Sequence, residues 1–382
     1  MITKKDTKSG EPRYEVRHRG PDGKERSRTF RTKKEAERYV RNQQTAVDAG
    51  TWIDPTAGRT TLGQWATEWQ RTVVHLRPKT RKIYADNLRL HILPVLGHHE
   101  LAKLTPSMLR AWLADLASRP GVRGKVLSSA SVSQAYRTLN RLLEAAVADE
   151  LLGRNPLKGV KGPKVEADEM RFLTHEEVGL LADTIDERYR ALVLVAAYTG
   201  LRASELVGLR RRHVDLLRRS LTVVEQVQYL DGEFLVAAPK SAAGRRSVAL
   251  PRLVAAQLDC HLRTYAKPAT DAIVFESPEG GYLRFDNFRN RFWSPAVKDA
   301  GLAPLRPHDL RHTCASLAIA AGADIKVLQR MLGHSSAVLT LDRYGHLFPG
   351  QAESVADRLD EMAQAAGIVH RAEVVAIDRG RS

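Results

Sequence analysis

The sequence predicts a multidomain protein that is mainly α-helical and carries small β-sheets. A chain of 382 residues is too long for one ordinary hydrophobic core, so two or three domains are expected. Several long stretches place apolar residues at helical spacing behind capping residues, whereas shorter stretches alternate in the manner of strands around turn residues. These observations predict an α/β module, an all-α domain and a mixed α+β domain, in that order.

The first region, residues 1–55, is predicted to form a small sheet and one helix. The segments "RYEVRHR" and "ERSRTFR" alternate large and charged residues on either side of the turn "GPDGK". A helix should follow in "TKKEAERYVRNQQTAVDAG", with Thr32 and Glu35 as a capping box and Gly50 at its end. The arginines of the sheet could face DNA, or they could simply form a solvated charged surface.

The second region, residues 61–155, is predicted to be an all-helical domain of four or so helices. Capping and breaking residues indicate the helix boundaries, namely Thr61 with Gln64, Pro94, Thr105 with Pro106, and Gly153 with Asn155 and Pro156. One face of the longest helix carries Val132, Tyr136, Leu139, Leu143 and Val147, which we expect in the core. Residues 156–169, with Lys158, Lys161 and Lys164, are predicted to form a flexible basic linker.

The third region, residues 170–350, mixes both periodicities. A capping box of Thr174 and Glu177 opens a helix, and a second helix is predicted in "ERYRALVLVAAYTG". Two strand-like runs flank Asp231-Gly232, a strong hairpin signal, and "RRSVALP" can form a third strand before helices resume. Residues 351–382 should contain a helix, "QAESVADRLDEMAQAAG", and a polar tail.

The charge balance favours a polyanionic partner. Sixty Lys and Arg against 44 Asp and Glu give a net charge of +16, which favours nucleic acid over an anionic membrane surface, although a basic but ordinary enzyme is an alternative. The segment "MITKKDTKSGEPRYE" has no apolar core of a signal peptide, and no apolar run approaches the ~20 residues of a spanning helix. Cys260 and Cys314 are expected to be buried free thiols, which suits a reducing cytoplasm.

The segment "HDLRHTCASL" permits two kinds of site. His308 and His312 have the i, i+4 spacing of zinc ligands, whereas His308 and Arg311 could together hold a phosphate. A zinc protease site also needs a third ligand and a Glu directly after the first His, but Asp309 stands there and spacing marks no third ligand. The phosphate hypothesis is therefore favoured, and His312 is expected only to support the helix.

Cleaving a DNA phosphodiester without metal requires fixed cations for the extra negative charge of the transition state, a nucleophile and an acid. The third region contains all of these types, in the order Arg202, Lys240, His308, Arg311, His334 and Tyr344. The chain has no phosphate-binding G-x-x-x-x-G-K-[ST] loop. Its carboxylates are scattered, although spacing alone leaves open a metal-binding triad.

From about residue 174 to 347, the chain resembles the catalytic domain of the tyrosine recombinases, also called the phage integrase family. The resemblance rests on "TGLRASEL", "PKSAAGRRSVALP", "HDLRHTCASLAIAAGADIKVLQRMLGHSS" and "TLDRYGHL". The upstream regions resemble the family's SAM-like helical core-binding domain and, at the N-terminus, its arm-site DNA-binding domain of a three-stranded sheet plus a helix.

The resemblance implies a role for each residue of the motifs. Tyr344 would be the nucleophile that forms a 3′-phosphotyrosyl link, and Arg202 and Arg311 would clamp the scissile phosphate. The remaining roles would be hydrogen-bond donation to a phosphate oxygen by His334, protonation of the 5′-oxygen by Lys240, proton transfer or orientation by His308, and structural support by Glu205. Because the covalent link conserves the bond energy, neither metal, ATP nor another cofactor would be required.

The resemblance further implies a site-specific integrase that acts through a Holliday junction and integrates, and also excises, phage or mobile-element DNA. The expected partners are double-stranded DNA with core and arm attachment sites, three further copies of the chain, a host DNA-bending factor and an excision factor, in a bacterial cytoplasm and without a membrane. Two alternatives stay open: a Xer-like recombinase that performs resolution, inversion or relaxation, and a non-catalytic DNA-binding protein. The N-terminal module favours integration.

Overall fold

The computed structural model describes residues 1–6, 11–21, 23–48, 54, 57–120, 124, 126–165, 170–348 and 351–367, with the backbone alone for 6, 57 and 351–355. The chain divides into two compact units, Met1–Asp168 and Glu169–Ser382. The predicted class is confirmed, because helices dominate and the sheets are small and antiparallel.

The first unit opens with an antiparallel sheet of three strands in chain order, which are β1 (Ile2–Asp6), β2 (Pro12–Arg19) and β3 (Glu25–Phe30). Helix α1 (Lys33–Asp48) covers it, and the predicted capping box of Thr32 and Glu35 is present. Arg26 of β3 is bound to Asp54 at 2.8 and 2.5 Å, so this arginine is held by a carboxylate. The predicted helix end, Gly50, lies outside the described residues.

The rest of the first unit is helical, with α2 (Leu62–Thr72), α3 (Pro78–Asn87), α4 (Leu93–Leu96), α5 (Pro106–Ser118) and α6 (Ser129–Ala148). The predicted caps at Thr61 and Thr105 are confirmed. The core contains two tryptophans whose indole N–H groups donate to main-chain carbonyls at 2.9 Å, Trp65 to Leu142 and Trp112 to His91. The tryptophans are thus core residues with satisfied polar atoms.

Two predicted boundaries in this unit were wrong. The helix does not stop at Pro94, because a π-turn at Leu88–Ile92 joins α3 to α4 and places the proline in the first turn of α4, where no main-chain N–H is needed. Helix α6 ends at Ala148 rather than at Gly153, and Glu150 just beyond it has a left-handed φ of 58°.

The start of the predicted linker is also packed, not free. Leu157 and Val160 are buried in the core of the helical domain, and the Tyr136 hydroxyl donates to the Val160 carbonyl at 2.7 Å. Apolar burial and this hydrogen bond hold residues 156–160 on the domain. Residues 166–169 of the predicted linker lie outside the described part of the chain.

The second unit begins with α7 (His175–Thr184), α8 (Glu187–Thr199) and α9 (Ala203–Val207), followed by strands β4 (Val214–Asp215), β5 (Ser220–Val223), β6 (Gln226–Leu230), β7 (Glu233–Ala237) and β8 (Arg246–Ala249). One sheet has the order β4-β5-β8, and β6 pairs with β7 across the predicted Asp231-Gly232 turn. The first predicted run is therefore two strands, β5 and β6, which belong to different sheets.

The remaining helices are α10 (Arg252–Thr264), α11 (Phe285–Phe288), α12 (Ser294–Asp299), α13 (Asp309–Ala320), α14 (Ile325–Leu332), α15 (Ala337–Tyr344) and α16 (Gln351–Ala365). Helix α8 is buried nearly all round and contacts α7, α10 and α13, which makes it the centre of this unit.

Both cysteines are free thiols, but only Cys314 is buried. The prediction for Cys260 was wrong, because α10 turns Val254, Leu258 and Leu262 toward the core and leaves Cys260 outside. Within the described ranges no helix is long and apolar enough to span a bilayer.

Candidate active site

A sharp turn after α8 positions Arg202. Gly200 ends the helix in the left-handed region at φ 64°, and a Cβ there would lie 2.5 Å from Leu332 Cδ2, so only glycine fits. The chain then enters α9 with Arg202 as its N-cap. The Arg202 guanidinium donates to Glu205 at 2.8 Å and to the Gly333 carbonyl at 3.3 Å.

Glu205 and Arg246 form a buried ion pair beneath Arg202. Arg246 donates to the Glu205 carboxylate at 2.9 and 3.3 Å, to the Met331 carbonyl at 2.7 Å and to the Gly244 carbonyl at 3.1 Å. Burial alone would raise the pKa of Glu205, but the hydrogen bond and charge of Arg246, with those of Arg202, lower it. Arg246 thus joins three elements: the carboxylate that orients Arg202, the end of α14 and the loop before β8.

Arg311 lies in the first turn of α13 and is almost fully buried. Its guanidinium donates to the Gly200 carbonyl at 2.5 Å and the Leu332 carbonyl at 2.6 Å. Burial, and then the charge of Arg202, lower the pKa of Arg311 from its usual range to about 9, so it stays charged at neutral pH. A buried cation held by main-chain carbonyls is suited to receive an anion.

His334 follows α14, which ends at Gly333 in the left-handed region at φ 65°. A Cβ on Gly333 would lie 2.9 Å from the Ala243 carbonyl oxygen, so glycine allows the loop before β8 to approach closely. The buried His334 ring bonds through Nδ1 to Thr340 Oγ1 at 2.9 Å. Burial and then the charge of Arg311 lower its pKa to about 4, so the ring is neutral at pH 7.

Tyr344 is the last residue of α15 and is 0% exposed. Its ring lies parallel to that of His334, with centroids 6.4 Å apart, among Cys314, Leu328 and Leu332. The hydroxyl is hydrogen-bonded to His312 Nδ1 at 2.8 Å. Burial raises the pKa of Tyr344, although the charge of Arg311 opposes this, so the phenol is protonated at neutral pH.

His308 and His312 occupy one face of the start of α13. Their rings meet edge to face, with centroids 5.0 Å apart and planes at 86°. Burial and then the neighbouring His308 lower the pKa of His312 to about 4. Among the described residues there is no group of three His, Cys, Asp or Glu side chains that could hold a metal ion.

The structure brings most of the predicted site residues together. Arg202 contacts Glu205 and the Gly333 carbonyl, and Arg311 contacts the Gly200 carbonyl. Ring contacts join His308 to His312 on α13 and His334 to Tyr344. Lys240 is exposed in the loop between β7 and β8. That loop meets the cluster at Gly244, whose carbonyl accepts from Arg246.

Sequence reasoning missed two residues of this cluster. His312 was assigned to helix support, yet it contacts the Tyr344 hydroxyl, and only the packing of α15 on α13 reveals this. Arg246 was treated as part of a strand. Its signal was present, because strand alternation places Arg246 on the same face as Val248, and an arginine on an inward face requires a buried partner.

Two family models match the chain. The phage integrase family model matches residues 171–350, and the model of the phage integrase N-terminal SAM-like domain matches residues 61–117. A prophage phiRv2 integrase of Mycobacterium tuberculosis strain H37Rv is 30% identical over 365 residues, which cover 92% of this chain and 93% of that protein.

Two solved structures are similar in fold. The Tn1549 transposon integrase in complex with a circular intermediate DNA has a TM-score of 0.67 at 21% identity and covers 78% of this chain and 99% of its own. A lambda integrase tetramer bound to a Holliday junction has a TM-score of 0.57 at 20% identity, and the match covers 89% of this chain and 94% of the lambda integrase chain.

Proposed function

Because the chain belongs to the phage integrase family of tyrosine recombinases, we propose that its Tyr344 cluster is the site at which it cuts and rejoins DNA during site-specific recombination. The observation that carries this assignment is that the Tyr344 hydroxyl is bonded to His312 and its ring lies parallel to that of His334. Two arginines are held next to them, since Arg202 donates to the Gly333 carbonyl and Arg311 to the Gly200 and Leu332 carbonyls. These side chains come from positions 202 to 344 of the chain, and the fold assembles them from α9, α13, α14 and α15.

Each residue has a role that follows from its chemistry. Tyr344 attacks phosphorus and forms a 3′-phosphotyrosyl link, while Arg202 and Arg311 hold the non-bridging oxygens. His334 donates a hydrogen bond to the phosphate from Nε2 in the tautomer whose Nδ1 accepts from the Thr340 hydroxyl. His308 stands at the exposed start of α13, where it can orient the phosphate or relay a proton.

Lys240 protonates the departing 5′-oxygen in this proposal. It is exposed on the loop between β7 and β8, the loop whose Gly244 carbonyl accepts a hydrogen bond from Arg246. Glu205 supports the site by orienting Arg202. Since Tyr344 is buried in the free protein, DNA binding must open a path between its hydroxyl and the phosphate.

The organisation of the chain fits integration. We assign residues 61–155 to core-site binding and residues 1–55 to arm-site binding, so that one protomer bridges two DNA segments. The +16 charge supports both contacts with phosphates. The proposed assembly is a tetramer on two duplexes with a Holliday junction intermediate, as the lambda integrase tetramer is bound to such a junction. A host DNA-bending factor and an excision factor are proposed accessory partners.

A covalent capture experiment tests the assignment. The full chain is incubated in EDTA with nicked duplexes whose core is randomised, and DNA that remains attached after detergent denaturation is recovered and sequenced. Wild type should enrich one core sequence as a covalent adduct, and Tyr344→Phe should leave none. Adducts that persist in Tyr344→Phe would remove the nucleophile, and retardation without any adduct in wild type would favour a non-catalytic DNA-binding protein.

The core sequence selected in this way separates integration from resolution. Two plasmids, each with the selected core and one with added arm-like repeats from the element's ends, are offered to the protein. An integrase should join them only when the arm repeats are present. Equal joining without them would favour a Xer-like recombinase, because such an enzyme needs the core sites alone.

A further inference from the structure

We propose that His312 is a further catalytic residue, which accepts the hydroxyl proton of Tyr344 when the phenol oxygen attacks phosphorus. This rests on the proposed function, in which Tyr344 is the nucleophile. The geometry is direct, since His312 Nδ1 lies 2.8 Å from the hydroxyl, within the distance required of a general base. Both side chains are buried, so bulk water does not compete for this proton.

The surroundings of His312 favour the role of acceptor. On its own helix it faces His308, Asp309 and Arg311, and from α15 it faces Arg343 and Tyr344, with His334 behind the tyrosine ring. Burial and the three cationic or histidine neighbours keep the ring neutral at pH 7. In the tautomer that carries its proton on Nε2, His312 Nδ1 can accept the hydrogen bond of the Tyr344 hydroxyl. The lone pairs of the phenol oxygen then point away from His312 and are available to the phosphate.

The chemical step balances without a further reactant. On cleavage the phenol oxygen–phosphorus bond forms, the phosphorus–O5′ bond breaks, the phenol proton moves to His312 Nδ1, and Lys240 gives a proton to the 5′-oxygen. On rejoining, the 5′-hydroxyl attacks phosphorus and gives its proton back to Lys240, the phosphorus–phenol oxygen bond breaks, and His312 returns its proton to the departing phenol oxygen. One histidine thus acts as base in one direction and as acid in the other.

The discriminating variant is His312→Asn. The Asn side chain places an amide oxygen near the position of Nδ1 and keeps a hydrogen bond to Tyr344, but it cannot take up the proton. His312→Gln serves as a second variant if the first folds poorly. A matched control is His175→Asn, because His175 Nδ1 bonds the Tyr198 hydroxyl at the same distance of 2.8 Å in another part of the unit.

The measurement is single-turnover formation of the covalent adduct between pH 6 and 9, with saturating protein and the nicked core duplex selected above. Dividing the wild-type rate by the variant rate removes the pH dependence that comes from groups titrating in both proteins. For His312→Asn we expect a ratio of about 10²–10⁴ at neutral pH, the usual contribution of a general base. Above neutrality this ratio should fall by about tenfold per pH unit. The variant has no base at position 312, so its rate rises with the fraction of Tyr344 that hydroxide ionises. His175→Asn should give a ratio near one throughout.

A constant ratio across the pH range would overturn the proposal, because it would indicate that His312 only positions the tyrosine. A faster variant would overturn it too, by indicating a restraint that holds the hydroxyl closed. A substrate with sulfur in place of the 5′-bridging oxygen adds a second arm, since its leaving group needs no proton: it should rescue Lys240→Ala but not His312→Asn. If wild type forms no adduct at all, the proposed function is wrong. If wild type forms the adduct and the ratio of wild-type to His312→Asn rate does not change with pH, only the role of His312 is wrong.

Discussion

Removing Arg246 should destabilise the second unit and slow cleavage together. The substitution Arg246→Met keeps the aliphatic length and removes the guanidinium from Glu205, whose side chain is 1% exposed. Removing one partner of a buried ion pair typically costs about 3–5 kcal/mol, because the other charge stays buried and uncompensated. Arg202 still contacts Glu205, so the expected loss lies at the lower end, about 3 kcal/mol.

The assay is denaturant unfolding of the full chain, with Glu205→Gln and the double variant measured beside Arg246→Met. In a double-mutant cycle, the double variant should lose less free energy of unfolding than the two single variants lose in sum, by at least about 1 kcal/mol. This coupling is expected because the two residues are in direct contact. A surface pair at similar spacing, Arg263 with Asp259, provides the control, and Arg263→Met should change stability by less than about 0.5 kcal/mol. Additive losses, or a loss below about 1 kcal/mol for Arg246→Met, would refute the reasoning.

The pH dependence gives an independent check on the same pair. The folded pKa of Glu205 is lowered, so its contribution is fully present above the unfolded carboxyl pKa of about 4.3 and is lost as pH falls through the folded value. Stability of wild type should therefore decline in acid. Arg246→Met should show a weaker decline, because Arg246 no longer contributes to lowering the pKa of Glu205. Parallel curves for the two proteins would contradict this.

Three other perturbations test separate parts of the fold. Leu157→Ala should lower stability of the first unit by about 2–4 kcal/mol in denaturant unfolding, since Leu157 is 1% exposed; a neutral effect would show that the segment is a free linker. Gly333→Ala should reduce both stability and adduct formation, because φ is +65° and the added Cβ would lie 2.9 Å from the Ala243 carbonyl, and wild-type melting and cleavage would contradict the strain. Deleting residues 1–55 should abolish binding to arm-repeat DNA in a low-salt titration while core cleavage persists; unchanged arm affinity would remove that assignment.

Local chemistry explains why many elements could be predicted. A capping box such as Thr174 with Glu177 satisfies main-chain N–H groups within four residues, so its signal survives in any context. The Asp231-Gly232 turn works in the same way, because only certain residues tolerate φ values of 51° and 94°. The wrong boundary at Pro94 has the opposite origin, since a π-turn in the preceding residues moved the proline to a position where it does no harm.

The sequence by itself determined the helical class, the main helix starts and the set of polar residues expected to act on a phosphate, because these depend on propensity, capping and residue chemistry. Only the tertiary structure decided which of those residues meet. It paired Arg246 with Glu205, exposed Lys240 on the loop between β7 and β8, and brought the Tyr344 hydroxyl into contact with His312. The physical reason is that these contacts join side chains from 32 to 41 residues apart, and such distances are set by how helices and strands pack, which no local pattern encodes.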